Sequence, residues 1–151
     1  MKKLTTLIAA DLKHIFRDAT LTLFLLIPFI ITAAVRYFVP SLTVQFPFLV
    51  DYHVIIMMGA GIQTAIMFGF IIAFIILDEK DENVISAIRV LPISSNYFLS
   101  YRLLFATLFS FFGAFFTISL AGITYPGLVN TILLSFLYSL TAPLITLIIA
   151  T

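Results

Sequence analysis

From Leu103 to Thr151 the chain runs for 49 residues without one Asp, Glu, Lys or Arg. A soluble surface cannot be built from such a run, because charged side chains are the ones a soluble fold leaves in water. A bilayer can accommodate it: one helical crossing of a hydrocarbon core about 30 Å thick takes about 20 apolar residues, so this run suffices for two. Two more uncharged runs precede it, 17 residues between Asp18 and Arg36 and 26 between Asp51 and Asp78. Charged residues make up 10% of the chain, against about 25% in ordinary soluble domains, so a soluble globular fold is excluded.

Lipid cannot satisfy open backbone groups, so every crossing must be helical. The expected fold is all-α and polytopic, with spans at approximately 21–38, 53–77, 97–121 and 128–151. The last two are divided by Gly122-Ile-Thr-Tyr-Pro-Gly127, whose glycines and proline supply a turn. Pro28 and Pro143 are candidate kink sites. Seven of the eight basic residues, Lys2, Lys3, Lys13, Arg17, Lys80, Arg89 and Arg102, fall on one side of this map, and only Arg36 on the other. The positive-inside rule makes the populated side, and the amino terminus, cytoplasmic. Tyr37, Tyr52 and Tyr125 at outer ends and Tyr97 and Tyr101 at an inner end form an interfacial belt; Tyr138 falls within a span. A cleaved signal peptide is disfavoured, since Asp11, Lys13, His14, Arg17 and Asp18 interrupt its apolar region.

Residues 2–18 have helical amphipathicity. Leu4, Ile8, Leu12, Ile15, Phe16 and Ala19 share one arc, with Lys2, Lys3, Thr6, Lys13 and Arg17 opposite. This pattern fits an interfacial elbow helix with its apolar face in lipid and its cations toward headgroups or a cytosolic partner; a simple topogenic flank is the alternative. Asp18 and Thr20 offer N-cap groups for the first span. His14 pairs with Asp18 at i,i+4 spacing.

Between the second and third spans, Asp78, Glu79, Asp81 and Glu82 precede an apolar face of Val84, Ile85, Ala87 and Ile88, with Ser86 and Arg89 opposite and Pro92 as a stop. The acids suit the positive end of a helix dipole, so a short cytosolic helix is expected at approximately 79–90. An exposed apolar face needs a partner or the membrane surface. This segment resembles the motif that permeases of the type-two ABC exporter superfamily carry after their second span, Glu-x-Glu-x-Gly-Thr-Leu-x-x-Leu-x-x-x-Pro. Glu79, Asp81, Ile85, Ile88 and Pro92 match in register, while Asn83 replaces Gly and Val84 replaces Thr. The helix ending at Arg17-Asp18 is similar to the family's elbow helix, and the likeness covers Lys3 to about Ile123.

The resemblance implies a coupling helix seated on a separate cytosolic ABC ATPase, with Val84, Ile85 and Ile88 as apolar knobs and Glu79, Glu82 and Arg89 as rim charges. It further implies ATP and Mg in that partner and no cofactor in this chain, a second permease copy (homo- or heterodimer), and a bacterial or archaeal plasma membrane. Export rather than import rests on the resemblance alone. Family members generally have six spans; a chain of four is expected to be a fragment rather than a short form.

Small residues recur at fourfold spacing: Gly61, Ala65, Gly69 and Ala73 in the second span, and Ala106, Ser110 and Ala114 beside Gly113, Thr117 and Ala121 in the third. Such rows let membrane helices approach closely, within the chain or across a dimer seam. Gln63 and Thr64 are polar positions deep in a span, suited to interhelical hydrogen bonding or to a substrate path.

No residue set supports catalysis or a metal. There is no Gly-x-x-x-x-Gly-Lys-[Ser/Thr] loop for ATP, and there are no cysteines. His14 and His53 lie on opposite membrane sides, with His53 on a solvated flank. A net charge of +1 gives no field to recruit nucleic acid. The leading expectation is an exporter permease; the alternative is a non-transport membrane protein, a scaffold or immunity-type protein, whose acidic loop is only a connector.

Overall fold

The computed structural model describes residue 13 and residues 15–81 and 95–150. Most of the elbow segment and of the expected coupling helix therefore lies outside the described residues. Within them the fold is all-helical, and four helical segments are long and apolar enough to cross a membrane. We label α1 Ala19–Gln45, α2 His53–Asp81, α3 Ser95–Ala121, α4 Leu128–Ser139 and α5 Thr141–Ala150. A 3-10 helix, Pro47–Tyr52, joins α1 to α2.

Asp18 starts α1 by accepting the backbone N–H groups of Thr20 and Leu21 at 2.7 and 3.0 Å, two of the donors that a helix start leaves open. The helix then continues through both Pro28 and Pro40 to Gln45. The helix thus extends beyond the approximate span end at 38. Residues 15–17 are helical. Phe16 is exposed, but Ile15, expected on the lipid face, is buried in the inner core with Leu21, Ile71 and Ile75. The Thr22 hydroxyl donates to the Ile15 carbonyl at 2.8 Å, so the entry segment is held on the bundle.

α2 is the hub, in contact with every other helix. Of its most apolar window 61% is buried, against 17% for that of α1. Two apolar clusters are built on it. The outer one holds Val35, Val39, Met57, Ala60, Ile118 and Ala121; the inner one is centred on Phe68, Ile71, Ile72, Ile75 and Phe105. Between them lies a polar layer, with the Thr117 hydroxyl 3.0 Å from that of Thr64 and 3.1 Å from that of Thr32.

The fourth span is expected as one run, 128–151, but is two helices broken at Leu140. Pro143 has no N–H to return to the carbonyl four residues earlier, so the ladder fails at Ser139 and restarts with Pro143 inside the first turn of α5, where no N–H is required. The break changes partners: α4 packs chiefly on α3, and α5 on α2. Upstream of α4, Gly122 and Gly127 take positive φ values of 67° and 90°, the left-handed geometry that glycine adopts without strain.

The small-residue rows lie inside this chain. A Cβ on Gly69 would come within 2.9 Å of the Ala142 carbonyl oxygen and 3.0 Å of its Cα, so the backbones of α2 and α5 meet there. The Thr146 hydroxyl donates to the Gly69 carbonyl at 3.0 Å in the same contact. Gly61 faces Tyr138 and Ile118. Ala65, Ala73, Ala106, Ala114 and Ala121 are fully buried, and the Ser110 hydroxyl makes a long 3.5 Å contact to the Ala65 carbonyl.

Gly69→Ala is expected to lower stability by about 1–3 kcal/mol, since backbone rather than a flexible side chain must yield. Gly59→Ala, which meets open space, is expected to be neutral or slightly stabilising. Unfolding of the two variants in the same detergent checks the contrast; equal losses would contradict the close α2–α5 contact.

Candidate functional site

The end of α2 and the beginning of α3 are joined by charge. Arg102, 2% exposed, donates through Nη2 to Oε1 of Glu79, whose side chain is 16% exposed. A guanidinium and a carboxylate this deeply buried each lose much of their hydration, and the pair is tolerated because each neutralises the other. Lys80 reaches across to donate through Nζ to the Ala150 carbonyl at the end of α5. The inner ends of α2, α3 and α5 are thus tied by two side chains from one turn of α2.

This geometry corrects the expected start of the coupling helix. Asp78, Glu79 and Asp81 continue α2 rather than opening a helix of their own, so the argument from a positive dipole end does not apply to them. Glu79, expected as a rim charge, is held by Arg102. Glu82, Val84, Ile85, Ile88 and Arg89 lie outside the described residues. The sequence places Arg102 only among the basic residues of one membrane side. The available signal was its position, seven residues into α3 and facing the acids at the end of α2 across a short connection.

A second feature lies higher in the bundle. An open cleft of about 290 Å³ between α1 and α3 has apolar walls that include Phe29, Phe68, Phe109 and Phe116, with Thr32 and Thr117 as its polar positions. Its depth depends on Gly113. A Cβ there would fall 2.1 Å from Cε2 of Phe68, so the Phe68 ring occupies the space that any larger residue would take. Phe68 also meets Phe109 edge to face at 5.1 Å between ring centroids, an arrangement aromatic quadrupoles favour.

Thr64, paired with Gln63 in the sequence reading, is buried and belongs to the hydroxyl layer beside the cleft. Gln63 is half-buried on α2 and does not line the cleft. The structure thus separates the two residues. Thr117, expected as a packing residue, supplies the cleft's buried hydroxyl. The sequence contained the aromatic and threonine positions, but not the fact that α1 and α3 leave a gap between them.

At the outer end, Arg36 donates through Nη1 to the Leu120 carbonyl at 2.7 Å. It thereby satisfies one of the carbonyls that the end of α3 leaves open and supplies the positive charge a helix C-terminus favours. Thr43 and His53 meet at 2.9 Å, so His53 closes the α1–α2 connection instead of standing free as a solvated flank. Among the described residues no group of three or more His, Cys, Asp or Glu is placed to hold a metal ion.

A family profile described as Rv2686c-like, fluoroquinolones export permease protein Rv2686c-like, matches residues 11–151. Two relatives from Mycobacterium tuberculosis, the fluoroquinolones export permease proteins MT2760 (strain CDC 1551 / Oshkosh) and Rv2686c (strain ATCC 25618 / H37Rv), are each 30% identical to the chain over 129 residues. The matches cover 82% of this chain and 51% of each relative. The chain therefore spans about half the length of the curated relatives it matches. No solved structure matches it.

Arg102→Met is expected to destabilise the bundle by about 3 kcal/mol, because it strands the Glu79 carboxylate at the helix ends. Adding Glu79→Gln is expected to recover part of that loss. Denaturation of both single variants and the double variant measures the coupling, and strictly additive losses would show that the pair contributes none.

Proposed function

The chain belongs to the Rv2686c-like family of fluoroquinolones export permease proteins, and on that premise we propose that it is the membrane-spanning part of an exporter driven by a separate cytosolic ABC ATPase. The docking element is the segment that follows α2, residues 82–90, with Val84, Ile85 and Ile88 seated in a cleft of the ATPase and Glu82 and Arg89 at the rim. ATP and its Mg ion are bound by the ATPase, and a second permease copy completes the pathway. The compounds carried are flat, amphipathic aromatics of the class named for the relatives.

One geometric observation supports the coupling half of this reading. The docking segment is rooted between Glu79 and Arg102, and those residues bind α2 to α3 directly. A displacement of the segment therefore moves two helices together. Because α2 touches every other helix, the displacement spreads to the whole bundle. Packed cores shift between discrete arrangements rather than deforming continuously, so a push at one loop can exchange inward-open and outward-open states.

Replacing Ile85 and Ile88 by Asp in the full-length protein is expected to reduce co-purification with a co-expressed candidate ABC ATPase by at least about tenfold, the scale expected when apolar anchors at an interface are lost. Stimulated ATP turnover and fluoroquinolone uptake by inverted vesicles should fall with it. Unchanged association and turnover would contradict the docking role and favour a non-transport membrane protein.

A further inference from the structure

The two halves of the fourth span are held in different ways. α4 meets the bundle along one narrow strip, with Thr131, Ser135 and Ser139 buried at fourfold spacing, while Val129, Leu133 and Leu137 are exposed. The hydroxyls of the strip are spent locally: Thr131 donates to the Gly127 carbonyl at 2.9 Å, Ser135 to that of Thr131 at 2.7 Å and Ser139 to that of Phe136 at 2.7 Å. Among the described residues, no hydrogen bond joins α4 to α2 or α3. Only packing holds it there, one of the two forces that associate helices in a bilayer. α5 has both. Its Thr146 hydroxyl donates to the Gly69 carbonyl at 3.0 Å, the Ala142 backbone lies against Gly69, and Lys80 at the end of α2 donates to the Ala150 carbonyl.

α4 also has a joint at each end. On the outer side the chain enters it through Gly122 and Gly127, both at positive φ. On the inner side Pro143 interrupts the ladder, and the carbonyls set loose there are already satisfied. Leu137 accepts the Leu140 N–H at 3.3 Å, and Phe136 and Tyr138 accept the hydroxyls of Ser139 and Thr141 at 2.7 Å each. Hydroxyls that take up freed backbone groups are what makes a broken helix tolerable at membrane depth. Every one of these bonds spans three residues, so a modest change of angle at the break leaves them intact.

We propose that α4 is a rigid rod that pivots about residues 139–141 in the resting protein while α5 stays clamped to α2. At about 1.5 Å per residue its 12 residues make a rod about 18 Å long, so a swing of about 10° carries the outer end by about 3 Å. The seam between α3 and α4 then opens from the outer side. The hydroxyls it uncovers turn toward lipid with their bonds already made, which removes the main cost of exposing them there. Tyr138, which lies over Gly61, is beside the pivot and moves least. The pivot follows from the helices and their bonds and does not rest on the exporter reading.

The test uses full-length protein carrying only two introduced cysteines, spin-labelled in phosphatidylcholine nanodiscs, with distances read by double electron–electron resonance. Ile30→Cys on α1 serves as the common reference, paired in turn with Val129→Cys near the outer end of α4 and with Ile148→Cys on α5; all three positions are exposed. The Val129 pair is expected to give a distribution about 3 Å wider than the Ile148 pair, the sweep of the rod's outer end. Leu133→Cys, about halfway down the rod, should show about half that excess. Pro143→Ala, which returns an N–H to the Ser139 carbonyl, should narrow the Val129 pair toward the width of the Ile148 pair and leave the latter where it was. Equal widths for the Val129 and Ile148 pairs would overturn the proposal, because α4 would then be as fixed as α5. Equal excess at Leu133 and Val129 would overturn it too, since the helix would be moving as a whole with no pivot at the break; this comparison decides the matter even where Pro143→Ala does not fold. A wide Val129 pair that persists in folded Pro143→Ala protein would place the motion elsewhere and contradict the pivot. None of these measurements needs ATP or a partner, so absent ATP-driven uptake alongside the expected widths would sink the exporter reading and leave the pivot standing.

Discussion

The bundle depends on how closely other helices can approach α2. In a bilayer, lipid chains are as apolar as leucine, and association must come from packing and interhelical hydrogen bonds. Side chains on the contact face therefore have to be small. Gly61 and Gly69 bring α2 against Ile118 and Tyr138 on one level and against the Ala142 backbone on another, while Ala65 and Ala73 are fully buried between. The break at Leu140 belongs to the same design. A straight fourth helix could not follow α3 in its outer half and lie against Gly69 in its inner half.

Several polar groups join helices. Thr146 bonds the Gly69 carbonyl, the Thr32–Thr117–Thr64 layer links α1, α3 and α2, and Arg36 caps α3 from α1. The Arg102–Glu79 ion pair adds a charged link where α2 ends and α3 begins. Its burial makes it costly to break from one side, which fits a role in holding two helices together when the loop between them is displaced. The cleft between α1 and α3 shares Phe68 with the inner core that also holds Phe105.

Much of this was legible before any coordinates, for reasons that can be traced to particular residues. Uncharged runs give crossings because a charge in hydrocarbon is expensive, so four spans followed from the placement of 15 charges. Glycine and alanine spacing pointed to close helix contact. Membrane spans are not helix bounds: α1 continues beyond the approximate span end at 38 to Gln45, and Asp78 to Asp81 continue α2 and do not begin a new helix. The pairing of Glu79 with Arg102 and the gap beside Gly113 were not legible, because both depend on which faces of α1, α2 and α3 meet. Pro143 announced a disturbance in the fourth span, but the exchange of partners it permits depends on the position of Gly69.

The central claim is that the segment joining α2 to α3 faces the cytosol and carries the force of a partner ATPase into the bundle. The chain has no cysteine, so single cysteines at Ile85→Cys and Tyr125→Cys can be tested directly with a membrane-impermeant maleimide in right-side-out and inverted vesicles. The account predicts that Ile85→Cys reacts only in inverted vesicles and is shielded when the ATPase is bound, while Tyr125→Cys reacts only in right-side-out vesicles and ignores the ATPase. Reaction of Ile85→Cys from the outside, or equal labelling with and without the ATPase, would contradict it.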